Sequence, residues 1–271
     1  GADRIDWYRN IPVPTSYMCM GSERDFFGGY DHAQEAGVVH VANHHISPGK
    51  KQWTWGNHAF GYAWDRNLTD NDGPYIELMA GVYTDNQPDF SFLMPGETKT
   101  WSQFWYPIQK IGPAQEANVD AAVSLQVENG VARVGVSVSS RHASALVSLA
   151  AKNRILRTWT TDLAPGKPIV KTTRLPRATE ETDLRLEVRT TEDRLLIAYS
   201  PARPAKKSVP PAATEPAAPE EIASADELYL TGLHLEQYRH ATRMPETYWR
   251  EALRRDPGDS RCLSAMGRWD L

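Results

Sequence analysis

The residues with the clearest chemical potential lie in the run PYIELMAGVY (74–83), where Glu77 interrupts an apolar strand pattern. Successive strand side chains point to opposite faces, so Leu78 and Ala80 share one face and Glu77 shares the other with Tyr75. A carboxylate beside aromatic rings can hold a sugar, because C–H groups stack on the rings while hydroxyls bond to the carboxylate. A simply solvated Glu77 is the alternative.

Aromatic and polar side chains near Glu77 extend this pattern. Two tryptophans share a face of the strand-like run KQWTW (51–55), and a polar cluster, AWDRNLTDNDGPY (63–75), lies just upstream of Glu77. Its arginine offers a planar donor fork for hydroxyls, although Asp70, Asn71 and Asp72 equally fit a capped turn. The predicted substrate-binding residues are Trp53, Trp55, His58, Asp65, Arg66, Tyr75 and Trp105.

Composition and charge exclude several classes of function. The 271 residues carry a formal net charge of −4 and no long basic run, so neither nucleic acid nor an anionic bilayer is a predicted partner. No apolar run approaches the roughly 18 residues that a membrane helix needs, and no leader is recognisable. Cys19 and Cys262 lie in unrelated segments, which predicts no disulfide framework and fits a cytoplasmic location.

Residue composition and hydrophobic periodicity change along the chain and predict a mainly β protein with a helical C-terminal segment. Residues 1–113 are aromatic-rich, with strand-like runs that include VVHVAN (38–43) and TKTWSQFWY (98–106). Residues 118–200 contain seven short alternating runs, which predict a small immunoglobulin-like or fibronectin-like sandwich. Residues 201–225 are rich in Pro and Ala and predict an extended linker, and residues 226–271 have a helical period.

The helical segment resembles a tetratricopeptide repeat. Trp249, Ala252 and Pro257 have the spacing of the second helix of such a repeat, and Gly232 lies about one residue out of register in the first. One repeat cannot bury its own apolar face, so further repeats are expected in the natural protein. The concave face of such an array predicts a protein partner.

The aromatic segment resembles the galactose mutarotase-like superfamily. The matching pieces are a strand with a Glu (IEL, 76–78), a Pro-Asp turn (VYTDNQPDF, 82–90), a Pro-Gly-Glu turn (LMPGE, 93–97) and a long final strand (98–106). The resemblance implies that Glu77 is the general base that removes the anomeric hydroxyl proton. It also implies an acid histidine, which in that superfamily comes from the earlier half of the sandwich. Strand alternation puts His40 and His44 of VVHVANHH on one face, so either is a candidate for this role, with a packed structural histidine as the alternative for each.

A closer resemblance covers most of the chain. WYRNIPVP (7–14), residues 53–81, FWYPIQKIG (104–112) and residues 227–243 resemble the bacterial domain-of-unknown-function 5107 family, in which a mutarotase-like domain precedes tetratricopeptide repeats. The resemblance implies the C-terminal half of a galactose mutarotase-like β-supersandwich, then the immunoglobulin-like sandwich and the helical repeats. The first half of the supersandwich is expected to be missing.

Metal or cofactor chemistry is not predicted. His40 and His44, with Asp31 or His32, offer enough ligands for a metal, but their spacing suits a helix and VVHVAN does not read as one.

Three functions remain open. The protein is predicted to be carbohydrate-directed, either as a mutarotase-like epimerase or glycoside hydrolase or as a non-catalytic sugar-binding module. A hydrolase would need a second carboxylate, for which Asp65 and Asp72 are candidates. The third function is a repeat scaffold for protein partners.

Overall fold

A computed structural model describes residues 4–19, 21–69, 72–84, 93, 95–152, 154–203, 214–238 and 242–271. The fold is mainly β, with four antiparallel sheets, and helices follow near the C-terminus. The chain divides into two compact units, the first formed by residues 1–86 and 99–205 and the second by residues 87–98 and 206–271. No helix among the described residues has the length and apolar content that crossing a bilayer requires.

Two three-stranded sheets and one helix form the N-terminal part of the first unit. The elements are β1 (Thr15–Met18), β2 (Phe26–Asp31), β3 (Ala36–Ala42), β4 (Gly49–Thr54), α1 (Ala59–Leu68), β5 (Ile76–Gly81) and β6 (Gln103–Gln109). The first sheet has the order β1-β4-β5 and the second the order β2-β3-β6. Both sheets are antiparallel, as the sequence predicts, but the last predicted strand begins only at Gln103.

Helix α1 was not predicted from the sequence. Of the polar run upstream of Glu77, Asp65 and Arg66 lie in this helix, and of the three residues predicted to form a turn only Asp72 is among the described residues. The signal for this helix is the i, i+4 spacing of Phe60 and Trp64, which lie near each other on a helix surface. A segment this short between Gly-rich and Asn-rich turns gives too few periods to separate a helix from a loop.

The two three-stranded sheets face each other. A side-chain carbon built on Gly29 of β2 would lie 3.5 Å from Cδ1 of Leu78 on β5. By strand alternation, the inner face of the first sheet therefore carries Leu78 and Lys50, whereas Glu77 and Trp53 lie on its outer face. The outer face of the second sheet packs on the following domain through a shared apolar cluster of Val39, Val41, Ile108, Ile111, Ala117 and Ala122.

Two four-stranded antiparallel sheets follow. Their strands are β7 (Glu116–Ala117), β8 (Ala121–Glu128), β9 (Val131–Val138), β10 (His142–Ala151), β11 (Arg154–Leu163), β12 (Ile169–Arg174), β13 (Leu184–Arg189) and β14 (Leu195–Tyr199). The orders are β12-β9-β8-β7 and β11-β10-β13-β14, and both sheets contribute alternating side chains to one apolar core. All seven runs predicted as strands are strands. Asn129 and Gly130, at φ 51° and 73°, connect β8 to β9 as the Asn-Gly pair predicts.

The described part of the second unit contains the helices α2 (Ala225–Tyr238), α3 (Pro245–Arg255) and α4 (Ser260–Trp269). Their core includes Trp249, which is fully buried and donates from Nε1 to the carbonyl of Tyr229 at 3.3 Å. Helix α2 approaches α3 closely because residue 232 is glycine, and a methyl group there would overlap the Trp249 ring.

The end of the predicted linker belongs to the helical unit. Pro219–Glu221 forms a 3-10 turn, and Ile222 is buried in the helical core. Arg255 donates from Nη1 to the Ile222 carbonyl at 2.6 Å, and the Tyr248 hydroxyl donates to the Ala217 carbonyl at 2.9 Å. The packing of this segment on the helices could not be predicted from its Pro/Ala-rich composition, because a single Ile gives no hydrophobic periodicity.

Candidate functional site

Glu77 and Trp53 lie directly opposite each other on neighbouring strands. Their Cα atoms are register partners in the β4–β5 pair, so both side chains project from the outer face of the first sheet. Directly opposed side chains have Cβ atoms roughly 4.5–5.5 Å apart, close enough to contact a single small ligand. Both side chains are half-buried. We call the outer surface formed by Glu77, Trp53 and Tyr75 the Glu77 face.

A hydrogen bond positions a tyrosine hydroxyl on the Glu77 face. The Trp55 Nε1–H donates to the Tyr75 hydroxyl oxygen at 2.8 Å. Burial raises the pKa of Tyr75, and the neighbouring Glu77 carboxylate raises it further, which keeps the phenol protonated at neutral pH. The Tyr75 hydroxyl thus accepts from Trp55 and keeps its own proton for donation to a nearby acceptor.

Thr54 holds the backbone beneath this network. Its fully buried hydroxyl donates to the Tyr75 carbonyl at 2.9 Å and accepts from the Gly56 N–H at 3.0 Å. Gly56 has φ 85°, and a side chain there would collide with the backbone of Pro12. The turn after β4 therefore needs glycine, and it orients Trp55 toward Tyr75.

The two predicted stacking tryptophans differ in what covers them. The Trp55 ring is stacked on Trp64 of α1, with centroids 4.3 Å apart and planes 12° apart, and Phe60 approaches it edge-on at 5.7 Å. Trp53 meets Trp55 edge to face at 5.0 Å. Trp55 thus supports the cluster with one ring face already occupied, whereas Trp53 is the better candidate platform for a ligand.

The other predicted residues near Glu77 in sequence lie on or next to α1. His58 is exposed at the residue before the helix, and Arg66 is exposed within it. Asp65 is buried and accepts a hydrogen bond from the Thr69 hydroxyl, which closes the helix end. Asp72, the other candidate second carboxylate, is exposed. None of the four is on the strands that carry Glu77 and Trp53.

His40 and Trp105 are neighbours on the second sheet. His40 is fully buried, with ring centroids 4.7 Å from Trp105 and 5.1 Å from Phe27, and its Nε2 lies 3.1 Å from Oε1 of Gln103. This environment is that of the packed histidine that we gave as the alternative. His40 lies toward Lys50 on the inner side of the sheets, so the structure does not bring it to the outer Glu77 face.

His44 follows β3 and pairs with Asp25. Its Nδ1 lies 2.8 Å from Asp25 Oδ1, its backbone N–H donates to the same oxygen at 2.9 Å, and its ring contacts that of His45. Asp25 therefore orients the imidazole. The part of the chain that the structure describes contains no group of three or more His, Cys, Asp or Glu residues suited to a metal ion.

Two predicted turns have different outcomes. The Pro-Asp turn at Pro88 and Asp89 lies outside the described residues, as do Asp70 and Asn71 of the polar cluster. The Pro-Gly-Glu turn is present at Pro95 and Gly96, with Gly96 at φ 81°.

Protein stability is expected to fall in mild acid because of His40. Burial lowers the pKa of its imidazole below the ordinary value of about 6.5, so in mild acid the unfolded chain binds a proton more readily than the folded protein does. Stability should be full above about pH 6.5 and fall as the pH drops from there toward the folded pKa. Urea unfolding at pH 7.5 and 5.5 measures this loss. The His40→Gln protein should lose less stability over the same range than the exposed-site control His58→Gln, and equal losses would refute the assignment.

Sequence reasoning missed the residues that support the Glu77 face from α1. Phe60 and Trp64 are spaced as helix neighbours, which is the signal that would have found them. The burial of Lys50 has a weaker signal in the sequence. Strand alternation predicts only that Lys50 and Lys51 point to opposite faces of the sheet, so that one of them faces inward.

Comparison with protein families assigns the two parts of the first unit. Residues 2–108 match the family described as a domain of unknown function (DUF5107), and residues 116–199 match the family described as YphG-like protein, second domain. Both sheets of the Glu77 region lie within the first match except for the last residue of β6, and the strands of the two four-stranded sheets lie entirely within the second. The resemblance to the domain-of-unknown-function 5107 family is confirmed. Neither description names a ligand, so function has to be argued from the geometry.

Proposed function

We propose, starting from the membership of residues 2–108 in the DUF5107 family, that this is a carbohydrate-directed protein whose Glu77 face binds a sugar. The observation that carries the proposal is the cross-strand pair of Glu77 and Trp53. An indole offers an apolar face to sugar C–H groups, and the adjacent carboxylate accepts hydrogen bonds from hydroxyls. The Trp55 indole N–H holds the Tyr75 hydroxyl on the same face, and a polar group that is already positioned lowers the entropic cost of binding.

Binding without turnover has the more direct support. A mutarotase-like reaction, the alternative, would use Glu77 as base and require an acid on the opposite side of the sugar ring. His40 lies on the inner side of the sheets, opposite to the Glu77 face, and the His44 ring is hydrogen-bonded to Asp25. The enzyme alternative predicts anomeric proton exchange that disappears in a Glu77→Gln variant.

The finer architecture belongs to the same proposal. The two three-stranded sheets fit part of a galactose mutarotase-like sandwich, and the two four-stranded sheets fit an immunoglobulin-like one. The packing of α2 against α3, with Gly232 under Trp249, fits a tetratricopeptide repeat. Such repeats support the scaffold function for protein partners as a second role. A cytoplasmic location remains part of the proposal.

A screen of neutral glycans and monosaccharides, followed by calorimetry, tests the proposal. Glu77→Gln keeps the side-chain shape but removes the charge, and a hydrogen bond to a charged group contributes roughly 1.5–3 kcal/mol. We therefore expect affinity for the selected sugar to fall roughly tenfold to a hundredfold. Glu128→Gln, an exposed glutamate in the following domain, is the matched control and should bind like the wild type. Equal affinities for both variants would refute the proposal.

A further inference from the structure

A concave site is formed by residues other than those of the Glu77 face. A cleft of about 350 Å³ is lined by Ala42, Asn43, Ile46, Ser47, Thr100, Trp101 and Ser102. One wall is the loop that follows β3, and the other is the segment that enters β6. Ligand pockets in proteins range over roughly 300–1,000 Å³, so a cleft of this size suits a single small ring.

Hydrogen bonds to backbone groups build the first wall. The Ser47 N–H donates to the Asn43 carbonyl at 2.8 Å, and the buried Ser47 hydroxyl donates to the Gly81 carbonyl at 3.1 Å. Asn43 in turn accepts from the His45 N–H at 2.9 Å through its side-chain oxygen. The loop is therefore fixed to the end of β5, and the cleft is formed before any ligand arrives.

Tyr83 connects the two walls. Its N–H donates to the Ile46 carbonyl at 2.8 Å, and its hydroxyl donates to the Thr100 carbonyl at 2.9 Å. Its ring meets Trp101 edge to face with centroids 5.8 Å apart. Tyr83 makes these contacts with φ 63°, a left-handed conformation that is unfavourable for a non-glycine residue. Strain of this kind persists only where the surroundings fix it, and it is concentrated at functional sites.

The lining determines the ligand chemistry. Trp101 leaves 47% of its surface exposed, and the polar groups beside it are an amide and hydroxyls. Among the described residues that line the cleft, none is charged at neutral pH, and the nearby Lys99 ammonium lies over the Tyr83 ring, 5.2 Å from its centroid. A charged ligand would therefore lose hydration without meeting a charged group in this lining, whereas a neutral polyhydroxylated ring can stack on the indole and bond to the amide and hydroxyls.

We propose that this cleft is a second binding site, for one neutral sugar ring stacked on Trp101. The inference rests on the proposed function for its ligand class, but it uses a different surface. The Glu77 face has a carboxylate at its centre, and the Trp101 cleft has none. The two sites therefore accept different sugar substituents, and a longer glycan has two places to attach.

Indole N–H signals in ¹⁵N-labelled protein test the inference, with the Trp101 signal assigned by its loss in a Trp101→Phe spectrum. The probes are methyl β-D-galactoside, methyl α-D-glucoside and the anionic glucuronate. We expect a saturable shift of the Trp101 signal with a neutral glycoside at millimolar concentration and a weaker response to glucuronate. Trp101→Ala should lower the affinity of this site roughly tenfold or more, the scale of a lost stacking partner.

Controls separate this inference from the proposed function. Phe104→Ala truncates a comparably exposed ring on β6 outside the cleft and should leave the Trp101 titration unchanged. Ser102→Ala offers a second variant that weakens the site if Trp101→Ala fails to fold. Glu77→Gln should not alter the shift of the Trp101 signal. If a sugar shifts the Trp101 signal but the Glu77→Gln variant binds every sugar like the wild type, only the proposed Glu77 face is refuted and the cleft stands. A Trp101 signal that stays fixed with every probe, or that responds best to glucuronate, would overturn the cleft.

Discussion

Replacing Trp249 by alanine is expected to unfold the helical unit. Trp249 is fully buried between α2 and α3, and the loss of a buried Trp or Phe ring costs about 3–5 kcal/mol. A unit of three short helices has only a few kcal/mol of stability to lose. Circular dichroism at 222 nm should show the helical signal melting at a lower temperature or missing, while the strand signal of the first unit persists.

The matched control for this prediction is Trp269→Ala. Trp269 is 41% exposed and meets the Trp249 ring edge-on at 6.3 Å, so its loss leaves a much smaller cavity. We expect a destabilisation below about 1 kcal/mol for the control. Similar melting of the two variants would show that Trp249 is not the centre of this core.

Replacing Lys50 by glutamate is expected to destabilise the first unit severely. The Lys50 side chain is 2% exposed, its ammonium donates to the Arg24 carbonyl, and burial lowers its pKa despite the nearby Asp25. A glutamate would place a carboxylate in this low-dielectric space beside a carbonyl oxygen and Asp25. Uncompensated buried charges cost about 3–5 kcal/mol, which urea unfolding would detect as a large drop in midpoint.

Lys51→Glu is the control that isolates burial. Lys51 is the next residue along β4 and therefore points to the opposite, outer face of the same sheet. Partly exposed charge changes shift stability by roughly 0.5 kcal/mol. If Lys51→Glu were as destabilising as Lys50→Glu, the assignment of the inner and outer faces would be wrong.

The alternation that separates Lys50 from Lys51 also explains which parts of the site could be predicted. The two-residue period of a strand predicts that Glu77 and Leu78 of β5 point to opposite faces and that Tyr75 lies on the same face as Glu77. The structure has this arrangement. The seven runs after residue 118 were predictable for the same reason, because each alternates cleanly between two turns. Local pattern is sufficient where one face of a strand is buried.

Long-range placement was not predictable from these patterns. His40 has the alternation of a strand residue, but the pattern does not say which sheet it joins or that Phe27 and Trp105 enclose it. The pairing of Trp53 with Glu77 depends on the register of β4 and β5, which tertiary packing sets. The Trp101 cleft depends on Tyr83, whose left-handed backbone carries no sequence signal of the kind that glycine gives.

The measurement that tests the central claim most directly is a double-mutant cycle for sugar binding with Trp53→Ala, Glu77→Gln and the double variant, using calorimetry on the sugar selected by the screen. If both side chains contact one ligand on the Glu77 face, each single variant weakens binding, and the double variant departs from the sum by about 0.5 kcal/mol or more. Wild-type affinity in both single variants would contradict the account, because the sugar would then bind elsewhere on the protein.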